Sequence, residues 1–472
     1  MKNTIKTVYR SIAWLALATV VMVSCQREVR QETAPGKPMT KVEMDVFAPG
    51  SDEAVTFLAD KDFKAWTSIG SLEDRFTACE VPQASLENMT TAALVKSIFR
   101  YPLNYIIFAY DEPLNAVKIV VDNSPLHKEL LQREDAGLVL AKCFAASDLE
   151  YADEMFVEYF IAYCHQSWQE DEGARSVLSE AVKRKFEVRA ADEEKYSVYS
   201  LMPLYSIGEF LDEPLMASAS TSTTTIYTPF VQALEAQILT DMTTLEKTNV
   251  NSVYVSQYPN ATFLSTSTTK YNCHSYAWYN QNPNNNSIWL TSLNHNVVFQ
   301  LSKYWTNDLY RATTADSAKV VFYGRTEDHS AMTSTTSGKY VSKWGAGPLM
   351  EHSPDDCPYS SSDLSFYVED PYQHQGQSQF PRYDQQMISG EEGILINTTH
   401  TYTANANYRH LTLVWSAEPL PGIPAGQSIN VVNPYTCTFT ANEYGAYHLI
   451  LKGYYEGMYV VFQEKLIVVY GN

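Results

Sequence analysis

Positive charge, paired cysteines and long apolar runs are scarce in this chain, and each scarcity removes a class of function. Lys and Arg together number 34 against 54 Asp and Glu, a formal charge of −20. Such a surface repels nucleic acid and anionic lipid headgroups, so neither is an expected partner. The seven cysteines, Cys25, Cys79, Cys143, Cys164, Cys273, Cys357 and Cys437, never stand as CxxC, which leaves zinc-ribbon and thioredoxin-like sites without support. They are also scattered too widely for a disulfide-stapled scaffold, and Cys79, Cys143 and Cys164 read as buried thiols. His274, His295, His329 and His352 show no familiar ligand spacing, so no metal and no other cofactor is expected. A long apolar run occurs once, near the start, and nothing after it reads as a membrane span.

That run belongs to an export signal over residues 1–24. Lys2, Lys6 and Arg10 form a basic front, and Ile12 to Val23 form the apolar stretch. It ends Met22-Val23-Ser24-Cys25, which resembles the lipobox of bacterial lipoproteins. The resemblance implies cleavage before Cys25 and a lipid anchor on that residue, hence a cell-envelope location with the membrane touched through the anchor alone. An ordinary secretory signal with an incidental cysteine is the alternative. Losing the three cations takes the formal charge to −23, and residues 25–40, polar with two prolines, suit a flexible tether.

The remaining chain reads as multidomain. Residues 41–216 carry helical periodicity and form an all-α region. Asn88 is expected to cap a helix bearing Leu94, Val95, Ile98 and Phe99, and further patterns follow Pro125, Leu149 and Gly173. No chemistry is visible there; support or partner binding is the modest inference. Residues 217–226 include ASASTSTTT, which reads as a low-complexity linker. A helix-like piece, Phe230 to Leu245, opens an α+β region at 227–378. In it Lys319–Tyr323, His329–Thr333 and Lys339–Gly345 read as three strands of a meander. From 379 to 472 short strands alternate with turns, the pattern of an all-β sandwich of immunoglobulin-like type.

The chemistry centres on Tyr271-Asn272-Cys273-His274-Ser275-Tyr276-Ala277-Trp278. It joins a strand-prone approach to a short aromatic helix, with Cys273 at the junction, where unpaired N–H groups favour a thiolate. A cysteine hydrolase also needs an imidazole and a polar group that orients it. His274 is adjacent in sequence, but neighbouring helical residues point about 100° apart, so it is a poor base. His329, opening the middle strand of the meander, is the candidate base. His352 is favoured for the third position, with Ser342 as the alternative and Lys343 also opposite or diagonal to His329 in a register the sequence leaves open. Tyr271 and the backbone of Cys273 or His274 are candidates for binding an oxyanion or substrate. Alternatively, Cys273 is a buried thiol or is bridged to Cys357.

The order Asn272-Cys273-His274, His329-Ser330-Ala331, then Ser342-Lys343-Trp344-Gly345, resembles the papain-like bacterial amidase/peptidase superfamily that includes the NlpC and CHAP cell-wall hydrolases. The resemblance covers roughly residues 255 to 370. It implies a papain-like fold, Cys273 as nucleophile and His329 as base. It departs from the family in having Asn-Cys-His-Ser around the nucleophile and neither Asn, His nor Glu at 342 or 343. The implied activity is an amidase or endopeptidase working through a Cys273 acyl-enzyme, with a cell-wall stem peptide or another amide as substrate. The rival is a cell-surface binding or adhesion lipoprotein whose papain-like domain has lost turnover.

Overall fold

Short polar side chains start the helices of the first region. Ser71 accepts from the Asp74 amide at 3.1 Å, Thr90 from Ala93 at 3.2 Å and Asp171 from Ala174 at 3.0 Å. Thr243 and Glu246 cap one another reciprocally at the start of Thr244–Gln257. Each such cap contributes about 1 kcal/mol. The expected Asn88 cap is corrected. Asn88 closes the helix Gln83–Asn88 and gives its amide to the Phe47 carbonyl at 2.9 Å, while Thr90 caps Thr91–Ile98. The patterns after Pro125, Leu149 and Gly173 become Pro125–Leu131 with Ala136–Ala146, Tyr151–Tyr163 and Glu172–Ala190. The computed structural model describes residues 47–213, 215, 222–228, 233–290, 297–305, 309–324, 329–370, 388–404, 412–420, 423–455 and 458–471. The expected signal, Cys25 and the tether lie outside them. Among the described residues no helix is long and apolar enough to cross a membrane.

Two sequence expectations fail next. Residues 222–226 of the expected linker are strand: β1 (Ser222–Tyr227) pairs antiparallel with β2 (Ala233–Ile238). The threonines that look like low-complexity filler are β-branched and suit a pleated strand. Strand β2 also takes six residues of the helix expected at Phe230 to Leu245, because its Leu234 and Ala236 are buried at period two rather than at helical spacing.

A seven-stranded antiparallel sheet follows. Its strands are β3 (Thr262–Ser265), β4 (Tyr310–Ala312), β5 (Val320–Tyr323), β6 (His329–Thr333), β7 (Tyr340–Lys343), β8 (Leu349–His352) and β9 (Leu364–Glu369), in the spatial order β3-β8-β7-β6-β5-β9-β4. The predicted meander is β5-β6-β7. The middle of the sheet is buried on both faces. Val321, Tyr323 and Ala331 pack into one core with the helices, whereas Val320 and Phe322 pack into a second core with Ala277 and Trp278. Thus the helical region is a layer on the sheet. Trp344 meets Tyr258 edge-on at 4.9 Å, and the Arg75 guanidinium lies 4.1 Å over that tyrosine. The turn after β7 touches the helical layer through backbone: Ala346 N–H donates to Phe108 O at 2.8 Å.

The C-terminal region is all strand among the described residues. It comprises β10 (Ile388–Ser389), β11 (Gly393–Leu395), β12 (Thr399–Ala404), β13 (Thr412–Pro419), β14 (Gln427–Asn433), β15 (Thr436–Ala441), β16 (Gly445–Tyr455) and β17 (Met458–Tyr470). They form two four-stranded sheets, β10-β12-β15-β14 and β11-β17-β16-β13, antiparallel apart from the β11–β17 pair. Tyr402, Cys437 and Phe439 of the first share a core with Trp415, Leu449 and Ile467 of the second. Helices first and antiparallel sheets after them is the layout the sequence predicts.

Candidate active site

Asn272 builds the turn that presents Cys273. Its Oδ1 accepts from the Ser275 amide at 3.0 Å, the bond an N-cap makes, and from the Leu290 amide at 3.2 Å. Its Nδ2 donates to Asp111 Oδ2 at 2.5 Å and to the Leu290 carbonyl at 3.1 Å. Tyr276 N–H then bonds to Asn272 O at 3.0 Å, and the segment closes with a wider Asn280 N–H to Ser275 O bond at 2.8 Å. Cys273 is therefore the first residue of a capped helical turn, and it is fully buried. The six described cysteines form no disulfide, which removes the Cys273–Cys357 bridge.

One face of the sheet packs against this turn. Ser330 Oγ accepts from Trp278 Nε1 at 2.9 Å and lies 2.9 Å from His274 Nδ1. His274 Nε2 faces Asp111 Oδ2 at 3.7 Å. A tautomer with the proton on Nε2 satisfies this order: Trp278 donates to Ser330, Ser330 to Nδ1, and Nε2–H points to the carboxylate. Burial pulls the His274 imidazole down to about 3, so it stays neutral. His274, expected near an oxyanion or substrate, thus turns its side chain into the interior. Tyr271 is also buried, and burial raises its phenol.

Lys343 points toward Tyr271. Its Nζ sits 5.3 Å from the Tyr271 ring centroid and donates to the carbonyls of Thr268, Gly345 and Gly347 at 3.0, 2.6 and 2.5 Å. Burial draws this ammonium down to about 7, while Cys273, Asp241 and Asp111 favour its charge.

His329 and both third-position candidates face the helical layer instead. Side chains alternate along a strand, so His329 and Ser330 project to opposite faces. The His329 ring stacks on Tyr359 with centroids 3.5 Å apart and meets Tyr323 edge-on at 4.8 Å. Both its nitrogens are buried without a hydrogen-bond partner, so no bond to Cys273 is made. Burial holds this imidazole well below its ordinary value, and the neighbouring His352 and His274 push the same way. Ser342 and His352 bond to each other: Trp344 Nε1 donates to Ser342 Oγ at 3.0 Å, which is 2.7 Å from His352 Nε2. His352 Nδ1 faces the Ser353 carbonyl at 2.8 Å, so it carries the proton and Nε2 accepts. Burial takes His352 down to about 4. Tyr359, on which the His329 ring stacks, also feels the charge of Cys273.

Asp111, Ser330 and Tyr359 belong to this cluster and are silent in sequence. Asp111 comes from the helical region, 161 residues before Asn272. Lys343 had a readable signal, since a lysine between Ser342 and Trp344 interrupts an otherwise burial-prone strand. Among the described residues no three His, Cys, Asp or Glu side chains group as a metal ion requires. No curated protein and no solved structure matches the chain. Residues 262–362, the stretch that holds Cys273, His329, Ser342, Lys343 and His352, match the model of a family described as a domain of unknown function, DUF7689.

Proposed function

We propose that the protein is an exported, lipid-anchored cysteine hydrolase of papain-like type, an amidase or endopeptidase with cell-wall stem peptides as the leading substrate class. The observation that carries this reading is His329: a neutral imidazole, fully buried, with both nitrogens unpartnered and its ring stacked on Tyr359. An orphaned buried polar group costs about 1–3 kcal/mol, and a proton-transfer role gives that cost a purpose. In the proposed reaction His329 takes the Cys273 proton as sulfur attacks the amide carbonyl. Collapse of the oxyanion breaks the C–N bond, and the imidazolium protonates the departing amine. Water, activated by the same imidazole, then hydrolyses the thioester. An immunoglobulin-like C-terminal sandwich and a Cys25 anchor would hold this domain at the envelope.

The test is incubation of the purified protein with peptidoglycan and with isolated stem peptides, followed by mass spectrometry of new amine termini. Release by the native protein and none by Cys273→Ala, at unchanged melting temperature, is expected. Equal turnover by Cys273→Ala sinks the mechanism. Full burial of Cys273 and the missing bond from His329 favour a second reading, a surface-binding lipoprotein with a degenerate site. Absence of new amines with every amide offered selects it.

A further inference from the structure

The imidazoles of His274, His329 and His352 are neutral, so none of them supplies the positive charge that a cysteine nucleophile ordinarily borrows from an imidazolium. His274 and His352 each have a ring nitrogen committed as an acceptor, and His329 lies between aromatic rings. The cation present is Lys343. It is fully buried, and its three N–H bonds are each taken by a carbonyl. An amine that lost its proton there would leave one of those carbonyls facing a lone pair in a dry site. The three carbonyls therefore favour the ammonium, against the burial that draws it down to about 7. One of its acceptors, Thr268, and the ring beneath it, Tyr271, belong to the segment that leads directly into Cys273.

We propose that Lys343 is a positioning residue for Cys273: its buried ammonium anchors the 268–271 approach and supplies the charge that stabilises the thiolate. This rests on the reading of Cys273 as nucleophile. It also answers a difficulty in that reading, because an imidazole as reluctant to charge as His329 is a weak base. The proton it must remove has to come from a thiol acidified by something else. The other groups facing this pair are Asp241 and Asp111, which favour the ammonium, Lys247, which opposes it, and the phenols of Tyr271 and Tyr359. The two carboxylates are engaged elsewhere, Asp241 with Lys247 at 2.5 Å and Asp111 with Asn272 at 2.5 Å.

The experiment is a titration of Cys273 in the full-length protein by ultraviolet thiolate absorbance, taken as the difference between the native protein and Cys273→Ala. Lys343→Met, close to lysine in shape, is expected to move the midpoint up by one to two units, a thiolate fraction about 10- to 100-fold lower near neutrality. Lys343→Arg, which keeps the charge, should restore most of the shift. An unchanged midpoint in a folded Lys343→Met overturns the proposal while leaving the hydrolase reading intact. A shifted midpoint in a protein that cleaves no amide keeps the proposal and removes the hydrolase reading. If Lys343→Met does not fold, linkage supplies the reciprocal measurement: Cys273→Ala should lower the Lys343 midpoint in nitrogen-15 NMR, and no change overturns the proposal.

Discussion

Asn272 makes four hydrogen bonds with one amide, and the cysteine next to it inherits its place from them. Truncation of this side chain to a methyl group removes an N-cap, about 1 kcal/mol, and leaves the Leu290 backbone and Asp111 short of a buried partner, about 1–3 kcal/mol more. Asn272→Ala is therefore expected to cost about 2–4 kcal/mol in urea denaturation, and a loss below about 0.5 kcal/mol would show that the cap is not what sets the turn. His127 offers a cleaner pH effect, away from the site. It is fully buried, with Tyr101 edge-on at 4.9 Å and Phe160 at 5.3 Å, and burial takes it down to about 3. Its folded value lies below that of the unfolded chain, near 6.5, so below pH 6.5 the unfolded state binds a proton that the folded state refuses. Stability is whole above that pH and is lost as pH falls, at about 1.4 kcal/mol per unit. The stability of His127→Phe relative to the native protein should rise by about 2 kcal/mol between pH 7 and pH 5, measured by denaturation at both. A pH-independent difference rejects the buried neutral imidazole.

At the turn after β7 the backbone of the sheet meets the backbone of the helical layer. Gly345 has φ of +52°, and a Cβ there would fall 2.5 Å from the carbonyl oxygens of Phe108 and Ala109. Left-handed strain and backbone overlap act together, so Gly345→Ala should cost at least 2 kcal/mol, by order of magnitude, in thermal or urea unfolding. A cost under about 1 kcal/mol would mean that the two layers separate easily there. The meander leading to this turn is legible because β5 is a compact apolar run and β6 and β7 follow it as short runs cut by Gly and Ser/Thr turns. The faces of β6 are not. His329, Ser330 and Ala331 are all buried, and a strand buried on both sides carries no alternation that says which side chain meets which layer. So Cys273 could be placed at the head of a turn from its own neighbours, whereas Ser330's bonds to His274 and Trp278 could not. The hairpin β1–β2 is hidden for a different reason: the Ser and Thr residues of β1 have the composition of a linker and the propensity of a strand, and β2 is built largely of helix-forming residues.

The helical region looked chemically inert from sequence because what it gives the site is one carboxylate and several backbone carbonyls. Asp111 holds Asn272, Ala109 O accepts from Tyr359 at 2.5 Å, and Phe108 O accepts from Ala346 at 2.8 Å. Tyr105 joins Tyr258 at 3.0 Å, Arg75 donates to the Gln257 carbonyl at 2.8 Å, and Trp66 donates to the Gln257 side chain at 2.6 Å. These bonds sit over one continuous apolar core that runs from the helices onto the sheet. Two layers that share a core have no separate folded states to occupy, so they should unfold together. Variants that retain a single tryptophan, either Trp168 in the helical layer or Trp344 at the sheet, test this by fluorescence. Their thermal midpoints should coincide, and Gly345→Ala should lower both by the same amount. If Trp168 melted apart from Trp344, the helical region would be an independent domain. Asp111 would then have to be delivered to Asn272 by docking, and the geometry around Cys273 would depend on that docking rather than on folding.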